Sequence, residues 1–271
     1  MNRLRTKAVL ISLFAIAGIV SLCLVVHRQN IELKDSNILT GYVSLAVMCL
    51  LAVFNTRKKL SMLPIINART WLVFHVVFGF AMIAVYAIHT QTLWPSGLYE
   101  QILACLFYLV SISGIAGYTL SRIVPRRLRH TGGEIIYARI PNEIYQIREA
   151  SKKHISSALE QSGNETLSRE YQESLAWFLA KPRFILSHIS GSGRPSAWVE
   201  NKAVSLEPFL SDSEKKEFNK VLELMRYKNQ IDAHYANQKM MKVWLFFHLP
   251  VAVGLLVFVA WHVLLVHLYL I

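Results

Sequence analysis

The apolar residues of this chain are gathered into long blocks almost free of charge, and its charged residues sit between them. No other feature constrains the fold as strongly. A soluble domain spreads its hydrophobic residues through amphipathic patterns, whereas blocks of about 20 apolar residues match the length a helix needs to cross a hydrocarbon core about 30 Å thick. With 54% of its 271 residues hydrophobic, the chain reads as all-α, a polytopic transmembrane helix bundle of five spans. The spans are expected at residues 7–27, 38–54, 71–90, 99–123 and 242–271. The second is the shortest. The first is too long for a signal peptide, and no small-residue cleavage site follows Cys23-Leu24-Val25.

The basic residues set an orientation. Arg3, Arg5 and Lys7 precede the first span, Arg57, Lys58, Lys59 and Arg69 fill the second loop, and Arg122, Arg126, Arg127 and Arg129 follow the fourth span. The third loop, residues 91–98, has neither Lys nor Arg. By the positive-inside rule the N-terminus is cytoplasmic and, after five crossings, the C-terminus is periplasmic, which places the chain in a bacterial inner membrane. The net charge of +12 then belongs to topology and to anionic lipid. No basic motif interleaved with aromatic residues points to nucleic acid. Cys23, Cys49 and Cys105 all fall inside apolar blocks and form no C-x-x-C pattern, so they read as small apolar fillers.

The chain thus divides into spans one to four (1–124), a helical cytoplasmic insert between spans four and five (125–241), and the fifth span (242–271). Within the insert, residues 142–159 and 167–179 have helical spacing, and residues 190–195 read as a loop. Ser211 and Ser213 are candidate N-caps of a long helix that should run into span five. Its apolar stripe is Phe218, Val221, Leu222 and Met225, weakening at Lys228 and Asn229. His130, His154, His188 and His234 show no ligand spacing and read as solvated, and His27 as interfacial.

Four other histidines carry the chemistry. His75 and His89 lie in span three, His248 and His262 in span five, and both pairs are spaced H-x13-H. Fourteen helical residues rise about 21 Å and turn to within about 40° of whole revolutions, so both histidines of a pair lie on one face at two depths. Spans three and five are both odd-numbered and run in the same direction. His75 therefore meets His248 near the cytoplasmic side, and His89 meets His262 near the outer side. Each such pair suits one haem iron bound from both faces, which leaves no open coordination position and favours electron transfer. Phe78, Gly79, Met82, Val85 and Tyr86 share the ligand face of span three, and Val251, Ala252, Leu255, Phe258 and Val259 that of span five. Gly79, one turn from His75, would admit a porphyrin close to the backbone, and Gly114 and Gly117 of span four are further close-approach positions. Arg69, Arg122, Arg126 and Lys242 are candidates for neutralising propionates. His267, rotated about 140° from His262, is a candidate for the outer interface or for a quinone.

The chain resembles bacterial di-haem membrane cytochromes b, including the cytochrome b561-like and ferric-reductase-like proteins with a four-helix haem-binding core. The resemblance rests on His75-x13-His89 with Gly79, on Ser113-Gly114-Ile115-Ala116-Gly117-Tyr118 followed by Arg122-Ile123-Val124-Pro125-Arg126-Arg127, and on Trp244 to His248, Trp261-His262 and His267-Leu268-Tyr269. It covers spans three to five. It implies two b haems with iron bound by His75, His89, His248 and His262. It also implies exchange of electrons with a quinone pool or a periplasmic or cytoplasmic redox protein, as a subunit of an oxidoreductase. The insert has no recognisable nucleotide or flavin motif, which weighs against a self-contained transmembrane reductase of the ferric type. A third reading, from another class, is a haem-free membrane scaffold or sensor whose cytoplasmic helices bind a partner.

Overall fold

A computed structural model gives the fold and describes residues 2–60, 67–129 and 135–269. These residues form helices and connecting turns, with no strand among them. They fall into two compact units, one of residues 1–118 and 246–271 and the other of residues 119–245.

The first unit is built from α1 (Asn2–Ile31), α2 (Asn37–Leu60), α3 (Ala68–Thr90), most of α4 (Leu98–Arg129) and the C-terminal part of α10 (Asp212–Tyr269). Among the described residues, α1, α3, α4 and α10 are long and apolar enough to cross a membrane, and the apolar part of α2, Asn37–Val53, is shorter. Their outward faces carry large apolar side chains, with Phe14 72% and Phe246 74% exposed. Such a surface is stable only against an apolar solvent, and it is compatible with a membrane protein. Cys23, Cys49 and Cys105, expected as buried fillers, instead lie exposed on this surface. A thiol on an otherwise apolar face meets lipid at little cost, so its helix does not have to bury it. Inside the unit, α3 packs on α1 and α2. Met48, Met82, Phe107 and Leu255 bring α2, α3, α4 and α10 into one core, and Leu22, Val26 and Val85 join α1 to α3.

The expected helix ends moved outward. The fourth helix does not stop before Pro125 but continues to Arg129. Proline removes one backbone hydrogen bond and crowds the preceding turn, yet Val124 is buried and the Arg127 guanidinium donates to the Ile189 carbonyl, which hold the extra turn in place. The long helix expected to run into span five is α10, which continues through Pro250 for 58 residues.

The second unit has its own core. Ile140, Ile144, Ile147 and Ile155 of α5 (Ile140–Ser162) meet Phe218, Val221, Leu222 and Met225 of α10. The segment expected as one helix over 167–179 is instead α6 (Thr166–Glu170), a π turn (Tyr171–Leu175) and α7 (Ala176–Ala180). The wider turn leaves Leu175, Phe178 and Leu179 all fully buried. Between α8 (Ile185–Ser190) and α9 (Arg194–Leu206) the connection is shorter than expected, because Pro195 occupies the first turn of α9, where its missing N–H costs nothing.

Of the two candidate caps of α10, Ser211 is the one used. Its hydroxyl accepts from the Glu214 N–H at 3.4 Å, while the Glu214 carboxylate accepts from the Ser211 N–H at 3.0 Å, a reciprocal capping box. Glu214 is fully buried and also accepts from Asn164 Nδ2 and the Leu167 N–H, tying the start of α6 to α10. Glu214→Ala leaves these donors unsatisfied. The expected loss is about 2–3 kcal/mol of stability, read from denaturant midpoints of the detergent-solubilised protein.

The apolar stripe of α10 does not end at Lys228. Lys228 is fully buried, with its Nζ 2.6 Å from Asp232 Oδ2, 2.9 Å from the Lys181 carbonyl and 4.1 Å above the Phe178 ring. Ile231 is buried beside it. Three histidines expected to be solvated are not. His234 is buried, His154 lies 2.7 Å from Glu217, and burial pushes His188 down to about 4. His130 lies outside the described residues, and His27 is exposed.

Candidate functional site

The helical positions of the four histidines decide what they can reach. His75 and His89 sit on α3, His248 and His262 on α10. His75 lies within electrostatic range of His248, and His89 within range of His262. This is the pairing that two parallel helices require. The midpoint of each spacing is Met82 on α3 and Leu255 on α10, each about 10.5 Å along the axis from both histidines of its own helix. These two residues are buried in the same core cluster. The helices therefore share a core at their midpoints, with one histidine pair to either side.

The rings are set by α2 and α4. His89 Nδ1 is 3.0 Å from Thr40 Oγ1, and Thr40 is 1% exposed. The Thr40 hydroxyl has one proton, which is directed at the Ser36 and Asn37 carbonyls at 3.0 and 3.1 Å. If that proton stays on the helix, Oγ1 accepts from His89 Nδ1–H, the tautomer whose lone pair is on Nε2. His248 repeats the arrangement on α4. Its Nδ1 is 2.7 Å from Ser113 Oγ, which also lies 2.9 Å from the Val110 carbonyl. In both places a glycine follows the hydroxyl residue and receives the ring. A Cβ on Gly41 would stand 3.2 Å from His89 Cε1, and one on Gly114 would stand 3.8 Å from His248 Cε1. The other two histidines are positioned differently. His75 lies near the Leu51 carbonyl of α2. The His262 ring stacks on Tyr99 at a centroid distance of 6.2 Å, and the Tyr99 hydroxyl donates to the Phe258 carbonyl at 2.7 Å.

The remaining candidates divide. A Cβ on Gly114 would be in ordinary contact with His248, so the ring does not require glycine there. Gly117 is buried. A Cβ on Gly79 would meet no atom within 4 Å. His267 is exposed, donating from Nδ1 to the Val263 carbonyl at 2.7 Å and accepting from the Tyr42 hydroxyl at 2.6 Å. Arg69, Arg122 and Arg126 are exposed, and Lys242 Nζ sits 3.5 Å over the Tyr137 ring. Thr40, Gly41, Tyr42 and Tyr99 are not singled out by sequence reasoning. The signal for the first two is a hydroxyl-glycine dipeptide, Thr40-Gly41, matching Ser113-Gly114.

Among the described residues no group of three or more His, Cys, Asp or Glu side chains gathers to hold a metal ion. The chemistry offered is that of imidazole pairs, and a porphyrin brings four nitrogen ligands of its own. Fold and site together define an all-helical protein, compatible with a membrane, that presents two pairs of imidazoles at two levels of a helix bundle. No family model, curated protein or solved structure matches the chain.

Proposed function

We propose that this protein is a bis-histidine cytochrome b of the bacterial inner membrane, with five spans, a cytoplasmic insert between the fourth and fifth, and a cytoplasmic N-terminus. Its role is to carry electrons across the membrane as the quinone-linked subunit of a redox complex. His75 and His248 would hold the inner haem, and His89 and His262 the outer one. The observation that carries the reading is the pairing of these histidines across α3 and α10, one pair to either side of the Met82 and Leu255 midpoints. The donor set fits the group. Nδ1 of His89 and of His248 is engaged by a hydroxyl, which presents Nε2 as the ligand atom, as in metal-bound histidines generally.

A haem b bound by two imidazoles exchanges one electron and has no open position for oxygen. The protein's part is to hold each imidazole in one tautomer, keep the site dry within the bundle and set two such sites in line across the membrane. The quinone pool and a periplasmic or cytoplasmic redox protein are the proposed electron source and sink. His267 with Tyr42, exposed at the end of α10, is a candidate contact for either.

A filled coordination sphere gives a direct test. The reduced, detergent-purified protein should show no spectral change with carbon monoxide. A large shift in the haem bands would mean that at least one iron lacks its second histidine and would contradict the assignment.

A further inference from the structure

We infer that Thr40 and Ser113 are positioning residues for the two sites, each tuning one of them through a single histidine. The inference rests on the haem reading above and goes beyond its ligand set. A hydroxyl inside a membrane helix ordinarily satisfies itself on the carbonyl three or four residues back, and both residues do so. What sets them apart is a second contact across the bundle, from Thr40 Oγ1 to His89 Nδ1 at 3.0 Å and from Ser113 Oγ to His248 Nδ1 at 2.7 Å. In this arrangement each hydroxyl keeps its proton on the helix and accepts from the ring, which would fix the Nδ1–H tautomer and add electron density to Nε2. Gly41 completes the seat of His89, where a Cβ would crowd the ring at 3.2 Å, whereas a Cβ on Gly114 would be in ordinary contact with His248 at 3.8 Å.

The sites are then built alike, although the supporting helix differs. The pair of His89 and His262 is tuned from α2, and the pair of His75 and His248 from α4. A ligand made more basic by an accepted N–H favours ferric over ferrous iron, so each hydroxyl holds the reduction midpoint of its own site down.

The experiment is a potentiometric titration, with paramagnetic resonance of the ferric form, on the full-length protein and its variants. The two midpoints are first assigned to the two haems by which one disappears in His89→Leu. Thr40→Val keeps the shape and removes the acceptor. It should raise the midpoint of the haem held by His89 and His262, change its ferric signal, leave the other haem unmoved, and weaken haem retention about 10–100-fold at that site. Ser113→Ala should do the same to the other haem alone. Thr40→Ser and Ser113→Thr, which keep the hydroxyl, should restore both values. If both haems are present and neither midpoint moves, or if Thr40→Ser is as impaired as Thr40→Val, the hydroxyls only pack and the inference is overturned while the cytochrome reading stands. If the unaltered protein binds no haem, the cytochrome reading itself has failed.

Discussion

His89→Leu and His262→Leu should each cost the protein one and the same haem, leaving the other bound. Leucine keeps the bulk of the ring and the apolar character of the span but supplies no ligand nitrogen. The two substitutions sit on different helices, α3 and α10. Their equivalence would follow only from the pairing of His89 with His262, since unrelated packing defects on two helices have no reason to remove the same cofactor. His75→Leu and His248→Leu should form the complementary set. The measurement is haem content per chain together with the band that survives in the reduced spectrum. Loss of different haems from His89→Leu and His262→Leu would break the pairing.

The second large effect lies in the other unit. Lys228 and Asp232 are a buried pair one helical turn apart, both fully excluded from solvent. Burial pushes the Lys228 ammonium down to about 8 and the Asp232 carboxyl up to about 6, each opposed by attraction to the other. Lys228→Met leaves Asp232 buried without its paired cation, with only the Arg183 N–H at 3.1 Å and the more distant Arg183 charge to support its carboxylate. The expected destabilisation is about 3–5 kcal/mol. Replacing both residues, as Lys228→Met with Asp232→Leu, should recover most of it, because an apolar pair of similar volume carries no desolvation cost. Denaturant unfolding of the two variants separates the cases. Equal stability of the single and double variants would show that the charge on Asp232 is tolerated without its partner.

The residues that were legible in the sequence are those whose meaning lies within one helix. Charge-free blocks marked the apolar helices, and the H-x13-H spacing put His75 with His89, and His248 with His262, on shared faces by geometry alone. The stripe of Phe218, Val221, Leu222 and Met225 was buried as its period required. What escaped depends on a second element. Lys228 looked like the end of an apolar stripe because its partners are a residue four further on and the carbonyl of Lys181. Thr40 looked like any hydroxyl in an apolar span, and only α3 lying beside α2 turns it into an acceptor for His89. Span four was expected to end near residue 123, yet α4 continues through Pro125 to Arg129, held by the buried Val124 and the Arg127 contact to Ile189.

Two histidine pairs are proposed to hold two haems. The most direct measurement is a reduced-minus-oxidised visible spectrum of the detergent-purified full-length protein, with haem quantified against protein. A low-spin b-type spectrum and about two haems per chain are expected. A protein that stays colourless after reconstitution with haem would contradict the proposal, and one haem per chain would leave one of the two histidine pairs with a purely structural role.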